Sequence, residues 1–325
     1  MTRTLRTVRT LVLMALVTAS CTRAPEATPS HHRLTSVPAT PQLMFVSVAN
    51  DDTFHKVEIT ALNKPSDGAF VTDLNCLRVY FGGDMGICLT STTEGSDTKW
   101  LAQLFDARFQ QLQRFPLSGE PSRVRVSPDG RLAAATVFES GHSYAEHGFS
   151  TRTTLYDLTG RMSLGDLEQF VSKRNDQVMR AADFNFWGVT FARDGNTFYA
   201  TLDTAGVSYL VRGDARGRTL EVLQPNVECP SLSPDNSRIA FKKRVGARSL
   251  GWWQIAVLKL DTMTETVLNN ETRSVDDQVE WLDDARVVYH LTNGNTAADL
   301  WALEVDNSSP PQRLLESAYS PAVIR

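Results

Sequence analysis

The same short pattern occurs three times along this chain: an apolar strand, a tight turn centred on an Asp, and a second apolar strand. A fourth, more divergent copy follows. The four copies cover residues 126–134, 191–199, 232–240 and 281–289. Strand-and-turn repeats some tens of residues apart are typical of radial or stacked architectures, most often the β-propeller. The repeat therefore constrains the fold strongly, although it names no activity.

A second series of turns, containing Asp or in one case Asn, is interleaved with these copies. Each follows an apolar strand, and the turns lie at residues 61–65, 105–108, 156–160, 212–215, 260–263 and 305–308. Asp suits such turns because its carboxylate accepts hydrogen bonds from backbone N–H groups just ahead. In a blade of four antiparallel strands, a to d from the axis outward, the first series joins a to b and the second joins c to d. The outer turns predict six blades.

Five blades are predicted at residues 75–118, 122–171, 185–224, 228–269 and 276–316. Residues 43–73 supply three strands of a further, split blade, whose inner strand we assign to residues 320–325. The prediction is an all-β, six-bladed β-propeller over residues 42–325, with four-stranded antiparallel blades and a ring closed by the C-terminal strand. A β-sandwich would not place two turn series in register. Only residues 164–182 have helical character, and an irregular connection explains them equally well.

The N-terminus has the features of an export signal. The first ten residues carry three arginines and no acidic residue, residues 11–17 are apolar, and residues 18–20 are small. Cys21 follows directly, as in the lipobox of bacterial lipoproteins, although Thr18 stands where Leu is usual. We predict a signal peptide over residues 1–20 and a lipid anchor at Cys21, which places the protein outside the cytoplasm on the cell membrane. An ordinary secreted protein is the alternative.

Residues 21–41 are rich in Pro, Thr, Ser and Ala and are predicted to form a flexible tether. The formal charge of the chain is −4, and loss of the three arginines in residues 1–20 would leave −4 − 3 = −7. Clustered Lys and Arg supply most of the affinity for nucleic acid. We therefore expect no nucleic-acid partner.

Three cysteines remain beyond Cys21. Cys76 and Cys88 flank a Gly-rich turn at residues 82–86, so they could face each other across a hairpin. An exported protein can hold disulfides, which makes a Cys76–Cys88 bond a reasonable hypothesis. Cys229 would then be a buried small hydrophobe rather than a reactive thiol.

The repeats resemble those of the TolB-like propellers. The resemblance is carried by the S-P-D-G/N turns, the Arg-Leu-Ala and Arg-Ile-Ala-Phe strands that follow them, and Asp299-Leu300-Trp301 at the start of a c strand. It covers residues 42–325 and is strongest with exported TolB-like proteins of actinobacterial type. TolB itself has an α/β domain before its propeller, where this chain has only the tether. The resemblance implies the fold, export and a protein-binding role, without a defined activity.

Standard catalytic sequences are missing. The chain has no G-x-S-x-G elbow, no H-E-x-x-H, no phosphate-binding loop and no dinucleotide fingerprint. We therefore expect a protein that is not an enzyme and that needs no cofactor or metal. The alternatives are a small-substrate hydrolase or lactonase, with or without a metal, and a propeller that senses a sugar or peptide.

The mouth of the central channel is the predicted binding region, because inner strands begin there. The candidate residues are Asn75, Ser122, Asp183, Asn185, Trp187, Glu228, Asp276, Asp277 and Tyr319. Carboxylates and aromatic rings in this arrangement could take a cation, a sugar or a peptide terminus. The alternative is that these groups only satisfy strand ends and ordered water, as in many propeller channels.

The loop at residues 139–152 is the longest insertion within a blade, and it is predicted on the same rim. His142, Tyr144 and His147 are candidate lid residues, since long loops on rigid scaffolds often carry function. A zinc site with Glu146 would need three or four converging ligands, and an ordered surface loop is the simpler alternative. A basic run at residues 242–244 is expected to be solvated or to meet anionic lipid.

Together these features favour an exported, lipid-anchored propeller that acts as a non-catalytic binding or scaffold protein in the cell envelope. Its partner would be an envelope protein or peptide, and the membrane would be reached through the lipid anchor. A monomer is expected.

Overall fold

The computed structural model describes residues 33–39, 41–141, 148–247, 250–293 and 297–325. Regular structure within these ranges is almost entirely β, with 26 strands in six sheets and two short 3-10 turns at Pro65–Asp67 and Leu167–Gln169. The sheets are the blades of a ring, so the six-bladed propeller predicted from the two turn series is confirmed. No helix in the described part of the chain is long and apolar enough to cross a bilayer.

Blade one is split between the two ends of the described chain, as predicted. Its strands, from the axis outward, are β26 (Ala318–Ile324), β1 (Gln42–Ser47), β2 (Lys56–Ala61) and β3 (Phe70–Asn75). The closing contact is antiparallel and pairs Gln42 with Ile324 and Leu43 with Val323. The C-terminal strand therefore closes the ring and pairs with the inner edge of β1.

The next three blades follow in chain order. Blade two has β4 (Arg78–Gly82), β5 (Met85–Glu94), β6 (Asp97–Asp106) and β7 (Gln111–Leu117). Blade three has β8 (Glu120–Val126), β9 (Leu132–Ser140), β10 (Ser150–Asp157) and β11 (Met162–Asp166). The inner part of blade four is β14 (Asn185–Phe191), β15 (Thr197–Thr204), β16 (Val207–Asp214) and β17 (Thr219–Pro225).

The last two blades complete the ring. Blade five has β18 (Glu228–Leu232), β19 (Arg238–Arg244), β20 (Trp253–Lys259) and β21 (Thr264–Val267). Blade six has β22 (Glu280–Trp281), β23 (Arg286–Asn293), β24 (Ala297–Glu304) and β25 (Gln312–Leu315). Blades three and six are therefore opposite each other across the axis.

Local chemistry explains why the a-to-b turns form. Asp129 Oδ1 accepts a hydrogen bond from Arg131 N at 3.1 Å, and Ser127 Oγ accepts one from Leu132 N at 2.9 Å. The residue after the turn Asp has positive φ in three copies: Gly130 (70°), Gly195 (68°) and Asn236 (61°). Gly and Asn tolerate this left-handed backbone best, so the D-G and D-N sequences specify the turn.

Blade four departs from the predicted four strands. Two further strands, β12 (Val171–Arg174) and β13 (Gln177–Met179), extend its outer edge, and β12 pairs with β17 in parallel. Asn175 and Asp176 join them with φ of 49° and 61°, the geometry of a tight two-residue hairpin turn. The region at residues 164–182 is thus a 3-10 turn and a hairpin, because Asn-Asp supplies the turn and Val171 and Val178 the β-branched strand residues.

Residues 33–39, the described end of the predicted tether, lie against the propeller. Leu34 N donates to Val71 O at 3.0 Å and Val37 N donates to Ala107 O at 2.7 Å. Both apolar side chains pack against a core cluster that includes Phe105. This part of the chain is therefore bound to the outer strands of blade one and to blade two.

The structure contains the Cys76–Cys88 disulfide, which links the residues just before β4 to its hairpin partner β5. Cys229 is buried and free. Burial raises the pKa of its thiol, which keeps it protonated and unreactive at neutral pH.

Candidate functional site

The inner strands place side chains around the axis in two layers. Each residue of the lower layer comes two positions before the first residue of an a-to-b turn. These residues are Tyr80, Arg125, Thr190, Ser231 and Glu280. The upper layer, two residues earlier, includes Arg78, Arg123 and Gln278. We call the end of the channel where the inner strands begin the upper mouth, and the end at the a-to-b turns the lower mouth.

Side chains cross the channel between its two mouths. Arg125 of blade three donates from Nη2 to Val279 O at 2.9 Å and to Gln278 O at 3.3 Å in the opposite blade. Gln278 Nε2 in turn donates to Val189 O at 3.0 Å in blade four and to Pro230 O at 2.8 Å in blade five. The channel is therefore bridged by polar side chains midway along the axis.

At the upper mouth, Glu228 is fully buried and is bound by blade five itself. Arg244 donates to it from Nε at 2.9 Å and from Nη2 at 3.2 Å, and Trp253 Nε1 donates at 3.1 Å. The Arg244 guanidinium also stacks on the Trp253 ring, 4.5 Å from its centroid. Both carboxylate oxygens of Glu228 are thus occupied by protein donors.

Asp276 has two cationic partners, both at its Oδ1. The fully buried Lys242 ammonium donates to its Oδ1, and Arg123 Nη2 lies 3.9 Å from the same atom. Burial alone would raise the pKa of Asp276, but Lys242 and Arg123 outweigh it and hold the pKa below its usual range. We call Arg123, Glu228, Lys242, Arg244, Trp253 and Asp276 the upper cluster.

The basic run at residues 242–244 is therefore not the solvated loop or lipid contact that its sequence suggests. Lys242 is fully buried, stacks 4.3 Å from the Trp253 centroid and pairs with Asp276, while Lys243 pairs with Glu265. The reason is that these residues lie on β19, an interior strand, where a charge is tolerated only when it is paired.

Asp277 forms a second group with residues of blades one and two. It accepts hydrogen bonds at Oδ2 from His290 N at 3.0 Å, and His290 Nδ1 lies 2.8 Å from the same atom. Burial would raise its pKa, but His290, Arg123 and Arg78 hold the pKa well below the usual range. Tyr319 packs edge-on against His290 at 6.1 Å, and Arg78 lies over its ring at 5.1 Å.

The candidates from blade four have structural contacts. Asp183 accepts hydrogen bonds from Thr204 Oγ1 and Ala205 N, both at 2.7 Å, and these bonds lower its pKa. Asn185 Oδ1 accepts from Thr151 N at 2.9 Å, which ties blade four to blade three. Trp187 is fully buried in an aromatic cluster with Phe138, Phe149 and Trp253.

The remaining candidates lie elsewhere or outside the described residues. Asn75 is exposed and ends β3, the outer strand of blade one, while Ser122 is buried and its carbonyl accepts a hydrogen bond from Arg123 Nη1 at 3.0 Å. The candidate lid residues His142, Tyr144 and His147, like Cys21, are not among the described residues. Among those that are described, no three His, Cys, Asp or Glu side chains are grouped to hold a metal ion.

The lower mouth opens into a cavity of about 160 Å³ that was not predicted. Glu280 lies at its centre, where its Oε2 accepts a hydrogen bond from Tyr80 Oη at 2.9 Å and is 3.4 Å from Arg125 Nη2. Arg325 Nη1 is 3.6 Å from the other carboxylate oxygen. Burial, followed by the Glu280 charge, raises the pKa of Tyr80 far above its ordinary value, so its hydroxyl remains a donor.

A sequence signal for the lower mouth existed. In β8, Arg123 and Arg125 alternate with Val124 and Val126, so two cations share one face of a predicted inner strand. The inner strand of each blade runs beside the axis, and its side chains alternate between two faces. Two charged side chains on one face of such a strand are therefore candidates to lie in the channel. Gln278 and Glu280 alternate in the same way in the opposite blade.

Comparison with known proteins supports the fold. TolB from Acinetobacter baumannii matches with a TM-score of 0.58 and 15% identity, covering 87% of this chain and 66% of that one. The chain shares the six-bladed β-propeller fold with this protein. A TolB from Agrobacterium tumefaciens, described as putative in its structure report, has a TM-score of 0.51 and 12% identity, covering 86% of this chain and 91% of that one.

A chain from a nidogen–laminin complex is similar at a TM-score of 0.55 and 11% identity, covering 87% of this chain and 98% of that one. No protein-family model and no curated protein matches the sequence. At these identities the likeness concerns the fold, which confirms the propeller expected from the resemblance to TolB-like repeats.

Proposed function

We propose that this protein is an exported, lipid-anchored propeller that binds another component of the cell envelope and catalyses no reaction. The observation that carries the non-catalytic part is the state of the acidic groups at the upper mouth. Asp183, Glu228, Asp276 and Asp277 each accept hydrogen bonds or ion pairs from protein donors at short range. A catalytic carboxylate must be free to exchange a proton with the substrate or to bind a metal, whereas these contacts hold at least one oxygen of each residue within the protein.

Two comparisons support a binding role. The TolB-like neighbours share the fold, and another similar chain comes from a nidogen–laminin complex, so a propeller of this form occurs within a protein–protein assembly. A rigid ring with loops on both rims suits such a role. The partner we propose is an envelope protein or peptide, bound by a monomeric propeller.

The anchor is proposed from the sequence of residues 1–21, in which basic, apolar and small segments precede Cys21. Lipidation would hold the propeller at the membrane surface through residues 22–32, before the chain joins blade one at Leu34. A single acyl chain binds membranes only marginally, whereas several chains give stable anchoring.

Membrane fractionation tests the anchor. The Cys21→Ser variant should move from the membrane fraction to the soluble exported fraction, whereas Cys229→Ser, the same chemical change at a buried thiol, should stay with the membrane. If Cys21→Ser still sediments with membranes, the lipid anchor is not what holds the protein.

Crosslinking and a turnover assay test the binding role. Crosslinking in intact cells, followed by purification of the wild-type protein, should yield one predominant adduct with an envelope protein that the soluble Cys21→Ser variant forms much less. Hydrolysis of lactone or ester substrates that is lost in Asp276→Asn would contradict the non-catalytic assignment.

A further inference from the structure

The lower mouth contains more positive charge than its own residues neutralise. Arg125, Arg193 and Arg325 line the cavity, and Glu280 is the acidic residue among its lining groups. Glu280 is shared between Arg125 at 3.4 Å and Arg325 at 3.6 Å. Three guanidinium groups and one carboxylate leave an excess of two positive charges around a small space.

Two nitrogen donors at this mouth have no partner. The Arg125 side chain is only 9% exposed, and its buried Nε makes no hydrogen bond with any described residue. Arg193 is exposed on the rim, and the described part of the chain offers its guanidinium no hydrogen bond or ion pair. A buried donor without an acceptor costs free energy, whereas the exposed guanidinium of Arg193 is open to an acceptor from a ligand.

Arg193 also breaks the repeat at this position. The equivalent residues of blades three and five are Pro128 and Pro234, and all three line the cavity. Proline is the residue that suits the second position of these turns. Among these three blades only blade four has a cation, Arg193, in place of the proline. The turn does not need Arg193, because it is held by a hydrogen bond from Asn196 N to Asp194 Oδ1 at 2.9 Å.

The cavity has the chemistry of a carboxylate site. Arg125, Arg325 and Tyr80 already hold the Glu280 carboxylate, which shows that the arrangement suits planar paired oxygens. A volume of about 160 Å³ is below the roughly 300–1,000 Å³ of pockets that enclose drug-sized ligands, so it fits a functional group rather than a whole substrate.

From these observations we propose that the lower mouth binds a carboxylate presented by a ligand or partner, with Arg193 as the group that contacts it. The site stands independently of the lipid anchor and of the upper mouth, so it can be present even if the proposed envelope partner is wrong. Its position on the axis means that all six blades contribute to it, blade one through Arg325.

The test is a titration of the full chain with sodium acetate, in which acetate replaces chloride so that the ionic strength stays constant. NMR signals of the arginine Nε–H groups are recorded at each acetate concentration. Acetate should shift a small set of these resonances saturably. Arg193→Gln should weaken acetate binding about tenfold, the loss expected for one charge-assisted hydrogen bond.

Arg131→Gln is the matched control, because Arg131 lies in the a-to-b turn of blade three, is 70% exposed and does not line the cavity. Its acetate affinity should equal that of the wild type. Glu280→Gln removes the resident negative charge and should strengthen binding, an effect that partial unfolding could not produce. Absence of a saturable acetate response, or equal affinities of the Arg193→Gln and Arg131→Gln variants, would overturn the proposal.

Discussion

The two mouths of the channel carry similar residue types but differ in how these are used. At the upper mouth each acidic candidate faces cations or N–H donors of its own chain, as Glu228 faces Arg244 and Trp253. At the lower mouth three arginines surround one glutamate, and the exposed Arg193 makes no hydrogen bond or ion pair with the described residues. Pairing, rather than the presence of charge, separates a structural polar cluster from a candidate binding site.

This difference has an energetic consequence. Breaking a buried ion pair leaves an uncompensated charge in a low-dielectric environment, whereas an exposed charge is already solvated. The upper cluster should therefore respond to mutation in stability, and the rim of the lower mouth should respond in binding. The predictions below test that separation.

The largest effect should come from removing residues 319–325, because both mouths exist only in a closed ring. This deletion takes away most of β26 and exposes the edge of β1, and it also removes Arg325 from the lower mouth. We expect loss of most of the stability of the domain, which is on the order of 5–15 kcal/mol for folded proteins. Thermal unfolding followed by circular dichroism measures it, and an unchanged midpoint would contradict ring closure by β26.

Glu228→Gln should give the next largest effect, because it leaves the Arg244 guanidinium buried beside a neutral group. Breaking a buried pair costs about 3–5 kcal/mol. By contrast, Glu221→Gln breaks an exposed pair with Arg212 and should cost less than about 1 kcal/mol. Arg193→Gln, on the rim of the lower mouth, should change stability by less than about 0.5 kcal/mol. Urea unfolding of the three variants measures these differences in the free energy of unfolding. Similar losses in all three would remove the distinction between the mouths.

A smaller, pH-dependent effect should come from Glu168, a carboxyl outside the channel. Its Oε2 is buried without a hydrogen-bond partner among the described residues, and burial raises its pKa to about 8. The folded state therefore binds a proton more tightly than the unfolded state, and stability falls as pH rises from about 4.5 to about 8.

The loss over that interval should be on the order of 3 kcal/mol, and Glu168→Gln should remove it. Urea unfolding of wild type and variant at several pH values measures the effect. If the wild type and Glu168→Gln change in stability by the same amount over this interval, Glu168 is ionised in the fold and the prediction is wrong.

The fold was predictable because its signals are local. The Asp-Gly and Asp-Asn turns need only a positive φ at Gly130 or Asn236 and a carboxylate one residue earlier, and both are visible in the sequence. The same local chemistry at Asn175 and Asp176 specified the extra hairpin of blade four, but it lies between two blades and so falls outside the repeat. Prediction from a repeat misses what the repeat does not contain.

The site was less predictable because contacts across the axis join residues half a ring apart. Nothing near Arg125 in sequence indicates Glu280. Bulges add to the difficulty: the register between β18 and β19 shifts after Glu228, where Cys229 has a φ of 49°, which changes the residues that face the channel. The acidic candidates of the upper mouth were chosen from their position before the inner strands. Their partner Lys242 was expected to be solvated, but it is fully buried.

The split blade joins the first and the last strand of the chain, because β1 pairs with β26. Long-range pairing of this kind forms late, because the intervening chain must first be organised. Until then β1 is an unpaired edge, and the β26 of a second molecule offers the same hydrogen bonds and apolar surface as the molecule's own. Refolding at high protein concentration should therefore yield strand-exchanged dimers, whereas dilute refolding should yield monomers.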